Sequence, residues 1–92
     1  MAHSLSAKKR IRQNEKRRLR NRARRSALRT RLRAFKDAVI SGDPEVAENR
    51  FREACKQLDR EADRGLIHRN AAARRKSRLA RRLNALRQKK SS

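Results

Sequence analysis

The side chains able to do chemistry in this sequence are overwhelmingly cations. Its 92 residues include 22 Arg and 8 Lys against 9 acids, for a formal net charge of +21. The density peaks over residues 8–25, where 11 of 18 positions are basic: Lys8, Lys9, Arg10, Arg12, Lys16, Arg17, Arg18, Arg20, Arg22, Arg24 and Arg25. Glu15 is the one acid there. The excess of Arg over Lys points to phosphate as the ligand, because a planar guanidinium makes paired hydrogen bonds to phosphate oxygens and can stack on bases. A merely solvated charged face alternates in sign. This run has nothing beside it in sequence to neutralise it.

Other chemistries lack their groups. His3 and His68 are the only histidines and Cys55 the only cysteine, whereas a zinc site needs about four ligands. There is no Ser/His/Asp arrangement, no glycine-rich phosphate loop and no pair of catalytic carboxylates. The reading is therefore no enzyme, no catalytic residue, no metal and no cofactor. Cys55 reads as a small packing residue on a helix. A lone cysteine can form no intrachain disulfide, which fits a reducing compartment such as the cytoplasm. His68 reads first as a cap or corner residue, with a phosphate or ribose contact as its second role.

The elements that must position these cations follow from periodicity. Residues 8–25 contain no Gly or Pro, so nothing stops a helix. The charges fall on every side of it, so it has no apolar face to bury. The pattern runs on to Ser41-Gly42, with Ser6 as the expected N-cap and Gly42 as the residue after the helix end. Only its second half carries a stripe: Leu28, Leu32, Phe35 and Val39 step by three and four. Asp43-Pro44-Glu45 then reads as a cap, a first-turn proline and a favourable charge for a second helix. The short connection predicts an antiparallel return. Ala47, Phe51, Ala54 and Leu58 form its apolar face, with Ala62 as an optional further member. Its acids are expected to face water and pair with Arg50, Arg52, Lys56, Arg60 and Arg64. Gly65 ends it. Leu66 and Ile67 should tuck under the bundle end, and His68 or Asn70 should cap a third helix with a stripe of Ala72, Leu79, Leu83 and Leu86.

The fold class predicted is all-α: a three-helix bundle with a long basic first helix extending beyond it. Residues 1–92 make a single domain, with a basic overhang at 1–26, the bundle at 27–87 and a frayed tail at 88–92. A chain this short has a thin core, and hydrophobic residues are 35% of it against 42% charged. The bundle should be marginal by itself. The overhang should be worse, since like charges four apart, such as Arg20 and Arg24, oppose the helix. We expect residues 6–25 to order on binding.

Charge also divides the chain. Residues 1–34 carry net +13, residues 35–65 net −2 and residues 66–92 net +10. An acidic middle between two basic flanks suits a protein with one side against an anion and another in water. Nucleic acid matches this charge density best. A membrane-active or presequence-like helix needs an apolar stripe beside its charge, which residues 8–25 lack, and no run of about 18 apolar residues exists to span a bilayer. Two Phe and no Trp or Tyr argue against platforms for stacked single strands. Cations on two separate helices suit a folded RNA, where several backbones converge; a histone-like DNA compactor is the nearer alternative.

Two motifs carry a resemblance. One is Ser6-Ala7-Lys8-Lys9-Arg10, then Gln13, Glu15-Lys16, Arg18, Asn21, Arg24-Arg25-Ser26 and Arg29-Thr30. The other is Gly65-Leu66-Ile67-His68-Arg69-Asn70 followed by Ala72-Ala73-Arg74 and Lys76. Together they resemble the family of bacterial small-subunit ribosomal protein twenty over nearly the whole chain. Arg stands widely where that family has Lys, and the tail with Lys89-Lys90 is longer and more basic. The resemblance implies a structural constituent of the small ribosomal subunit, without enzymatic activity, bound directly to 16S ribosomal RNA early in assembly. It implies few protein contacts, no homo-oligomer and no membrane. Carried over by position, it implies RNA contacts from Lys8, Lys9, Arg10, Lys16, Arg18, Arg24, Arg25, Arg29, His68, Arg69, Asn70, Arg74 and Lys76. Charge and neighbourhood add Arg12, Arg17, Arg20, Arg75 and Arg78 to that set.

Overall fold

A computed structural model describes the backbone of residues 2–91 and the side chains of residues 5–89. Three helices account for the fold: α1 (Ala2–Ser41), α2 (Pro44–Asp63) and α3 (Arg69–Ser91). At 1.5 Å per residue the 40 residues of α1 make a rod of about 60 Å. The molecule is correspondingly elongated, 73 × 23 × 13 Å. α1 begins at Ala2, so Ser6 lies inside the helix and does not cap it. Nothing between residues 2 and 5 breaks a helix, and the pattern simply continues backwards. α3 likewise runs past residue 87 to Ser91, beyond the point where a frayed tail was expected; Ser92 lies outside the described residues.

The two turns are built as their residue types require. Gly42, at φ +80°, closes α1, and its N–H donates to Ala38 O and Val39 O at 3.2 and 3.1 Å. Asp43 caps α2, its Oδ1 accepting from Glu45 N at 3.1 Å and Val46 N at 3.4 Å. Pro44 follows at the first helical position, where its missing N–H costs nothing. Gly65, at φ +79°, ends α2 with a paired set of bonds: Leu66 N–H to Glu61 O at 2.9 Å and Gly65 N–H to Ala62 O at 3.0 Å. This is the closing pattern that a left-handed residue after a helix permits.

α2 is the central element. It packs along both of its neighbours, whereas α1 and α3 hardly touch each other. Leu28, Phe35, Leu58, Leu79, Leu83 and Leu86 are buried as the stripes predict, with Leu32, Val39, Phe51 and Ile67 packed partly buried against them. Phe35 of α1 and Phe51 of α2 meet with ring centroids 6.1 Å apart, a tilted geometry that aromatic pairs favour. Ala47 and Ala54 are fully buried on α2; small residues there let the neighbouring helices come close. Only the second half of α1 takes part. Leu5, Ile11 and Leu19 on the first half are exposed.

Two expectations about the acids need correcting. Glu61 was expected in water and is fully buried. The steps 47, 51, 54, 58 reach 61 as readily as 62, so it continues the apolar face of α2. The other acids do not pair only along α2. Arg50–Glu53, Arg52–Glu48 and Arg64–Glu61 are within the helix, but Glu53 also holds Arg31 of α1 at 3.1 Å. Asp59 holds Lys76 of α3 at 2.7 Å, and Glu48 holds Arg87 of α3 at 3.0 Å. The acids of α2 therefore cross-link two cationic helices.

Two of these pairs make stability depend on pH. The hydrogen bond from Arg87 holds the Glu48 carboxyl below its usual range. A carboxylate with a depressed folded pKa stabilises above its unfolded pKa and loses that contribution as pH falls. The hydrogen bond to Asp59 holds the Lys76 ammonium above its usual range. That contribution is complete below the unfolded lysine pKa and is lost as pH rises through the folded one. The melting temperature, followed by circular dichroism, should be level between about pH 5 and 9, and fall below about pH 4 and above about pH 10.5. Glu48→Gln should remove part of the acid-side fall.

Candidate nucleic-acid interface

The first half of α1 presents its cations all round the rod. Lys8, Lys9, Arg10, Arg12, Lys16, Arg17, Arg18, Arg20, Arg25 and Arg29 are exposed, and Arg24 is half-buried. Among the described residues, no cation from Lys8 to Arg29 makes an ion pair; the pairs begin at Arg31. One side is organised further. Asn14, Arg17, Arg18, Asn21, Arg22, Arg25 and Arg29 recur at steps of three and four and border a shallow trough of about 560 Å³. Arg22 belongs to this trough although the resemblance did not point to it. Its signal was its spacing, four after Arg18 and three before Arg25.

The expected contacts near the start of α3 divide. His68 is the cap of α3: its Nδ1 accepts from Asn70 N–H at 3.1 Å, and its carbonyl accepts from Ala72 N–H at 3.0 Å. The His68 residue is exposed while its Nδ1 serves the cap. Arg69 and Asn70 are exposed in the first turn beside it. Lys76 is half-buried and directed to Asp59, away from the free cations. Arg74 is exposed but stands off the groove next described.

Arg75 and Arg78 come together with α1. They border a groove of about 280 Å³ whose floor includes Leu32, Phe35 and Leu79 and whose rim is completed by Arg33, Lys36 and Arg82. The groove continues past Val39, Ile40 and Leu86. Arg33, Lys36 and Arg82 were not among the expected contacts. They flank core stripes on two helices that converge, so they frame the seam between them; only the packing of α1 and α3 about α2 reveals it. The basic surface thus comprises the free rod and the rim of this seam. Three acids of α2, Glu53, Asp59 and Glu48, are engaged with Arg31, Lys76 and Arg87. Cys55 is half-buried, and burial pushes its thiol up, so it is held protonated as a packing residue.

Comparison with known proteins finds a family and many relatives. The family model described as Ribosomal protein S20 matches residues 2–84. Among similar proteins, one from Shouchella clausii named small ribosomal subunit protein bS20 is 54% identical over 86 residues, covering 94% of this chain and 98% of the relative. The protein of the same name from Rhodopirellula baltica is 57% identical over 79 residues, covering 86% and 88%. That from Thermobifida fusca is 51% identical over 88 residues, covering 96% of each.

The cap at His68 can be tested separately from any ligand. His68→Ala should lower stability by about 0.5–2 kcal/mol, the usual cost of losing a helix cap. His68→Asn, which can accept the same N–H, should recover most of it. Thermal unfolding of the three proteins reads both changes.

Proposed function

The chain belongs to the ribosomal protein S20 family, and from that premise we propose that it binds 16S ribosomal RNA directly and stabilises the folding of that RNA during assembly. Membership makes it a structural constituent of the small ribosomal subunit in the cytoplasm, and not an enzyme. No described helix is long and apolar enough to cross a membrane.

The observation that carries the proposal is the unneutralised first half of α1. Eleven cations within residues 8–25 stand on a rod that the rest of the protein leaves almost wholly exposed. Their mutual repulsion opposes the helix, and a polyphosphate reverses it. Binding is then a clamp. Guanidinium groups on several sides of one rod bridge RNA backbones that would otherwise repel, while Arg75 and Arg78 on α3 reach backbone from the seam. The residues we assign to RNA are Lys8, Lys9, Arg10, Arg12, Lys16, Arg17, Arg18, Arg20, Arg22, Arg24, Arg25 and Arg29 of α1, Arg69, Asn70, Arg74, Arg75 and Arg78 of α3, and the exposed face of His68. Lys76 contributes less, because Asp59 already holds its ammonium. Because three acids of α2 are already paired within the chain and the basic faces of two copies repel, we propose a monomer that joins RNA with few protein contacts.

Binding to a small-subunit RNA fragment should be steeply salt-dependent. With about ten phosphate contacts, log affinity should fall with log salt at a slope of about −7 to −9. A slope shallower than about −3 would reject the clamp, and equal competition by duplex DNA would reject specificity for RNA. Arg18→Ala with Arg25→Ala should make the slope shallower by about 1.4–1.8 and leave the melting temperature of the bundle unchanged. Circular dichroism at low salt should gain helical signal when RNA is added, because residues 6–25 order on it.

A further inference from the structure

The turn after α2 stands against the middle of the basic half of α1. Arg17, Arg20, Asn21 and Arg24 of α1 share one hollow of about 370 Å³ with Arg64 and Gly65 of the turn. Asn21 and Arg24 are the half-buried residues of this otherwise exposed stretch, which marks the same approach. Four guanidinium groups therefore border one concavity, three from the rod and one from the bundle.

Arg64 is held in place from below. Its Nη1 lies 3.4 Å from Glu61 Oε1, which also accepts from Gln57 Nε2 at 3.1 Å. Glu61 is fully buried and its second oxygen, Oε2, is buried with no partner. A buried carboxylate with an unused oxygen is costly, so its retention asks for a reason beyond stability. Anchoring Arg64 is one. The Arg64 side chain remains 45% exposed, so part of its guanidinium is left for a second acceptor. Gly65 adds access: a side-chain carbon placed on it would meet nothing within 4 Å.

Resting on the RNA-binding reading above, we propose that this hollow seats one phosphate of the RNA backbone, with Arg64 donating from the bundle and Arg17, Arg20 and Arg24 from the rod. A phosphodiester matches the site in charge and in hydrogen bonding, since it offers two acceptor oxygens to forked donors. It also removes the repulsion among the cations that border it. Glu61 is a positioning residue that acts through Arg64. The seat ties the rod to the bundle across a single anion, where the free half of α1 meets the turn after α2.

The test is filter binding of the full chain to a small-subunit RNA fragment over a range of salt, with helicity and melting followed in parallel. Arg64→Gln keeps a donor for Glu61 and removes the charge. It should weaken binding by about 5- to 10-fold and make the salt slope shallower by about 0.7–0.9, the signature of one lost phosphate contact. Arg52→Ala, an exposed cation on α2 paired with Glu48, should leave affinity and slope unchanged. Glu61→Gln should weaken binding when Arg64 is present and add nothing to Arg64→Gln, as coupled residues do. Wild-type affinity and slope in folded Arg64→Gln would overturn the phosphate seat while leaving the clamp in place. Failure of the unaltered protein to bind RNA would overturn both. Should Arg64→Gln lose helicity, Arg64→Lys keeps the charge without the fork, and unchanged affinity at an unchanged slope together with independent effects of Glu61→Gln would again overturn the seat.

Discussion

Repulsion between like charges governs this architecture. α1 and α3 carry 25 of the 30 cations, and α3 carries no acid at all. Two such helices cannot lie side by side without a counter-charge. α2 supplies it from the centre, with Glu53 reaching Arg31 on one side, and Asp59 and Glu48 reaching Lys76 and Arg87 on the other. These pairs are partly exposed, and each adds only about 0–1 kcal/mol. The cohesion comes from Phe35, Leu58, Leu79, Leu83 and their neighbours. What the acids do is decide the order of the helices: an acidic helix between two basic ones is the arrangement with least repulsion, and it leaves α1 and α3 scarcely in contact.

That arrangement separates two tasks along the chain. Cations that face α2 are neutralised and belong to the fold. The exposed cations from Lys8 to Arg29 make no ion pair among the described residues, and they are the ones we propose for RNA. Lys76 and Arg31 fall in the first class, and Arg18, Arg25 and their neighbours in the second. The distinction rests on which side of a helix a residue occupies, and it explains how a small bundle can carry a net charge of +21 while keeping a packed core. Membership of the ribosomal protein S20 family gives the second class its natural counterpart in a subunit built on RNA.

Much of this was legible in the sequence, for identifiable reasons. The helical period places the large apolar side chains on one face, so Leu28, Phe35, Leu58, Leu79, Leu83 and Leu86 could be read as core before any coordinates. Asp43-Pro44 and Gly65 have few structural alternatives, and both turns formed as expected. One expectation puts residue type before position: acidity sends Glu61 to solvent, although its place continues the buried face of α2. Lys76, carried over to RNA by the family resemblance, is already held by Asp59 of a neighbouring helix, a contact that exists only once the helices pack. Arg33, Lys36 and Arg82 could not be grouped at all, since the seam they frame exists only once α1 and α3 are packed about α2. The assignment of individual cations to RNA rests on exposure and spacing together with the family resemblance.

The continuity of α1 has one more consequence. Starting a helix is the expensive step, since several residues must be fixed before the first hydrogen bond forms, whereas lengthening an existing one adds a bond for each residue fixed. The packed segment from Leu28 to Val39 is a permanent seed at one end of the rod. The amino-terminal portion therefore never has to initiate a helix. On the proposed binding to RNA, it lengthens turn by turn from the seed as each phosphate cancels local charge, like a zipper with its slider already engaged.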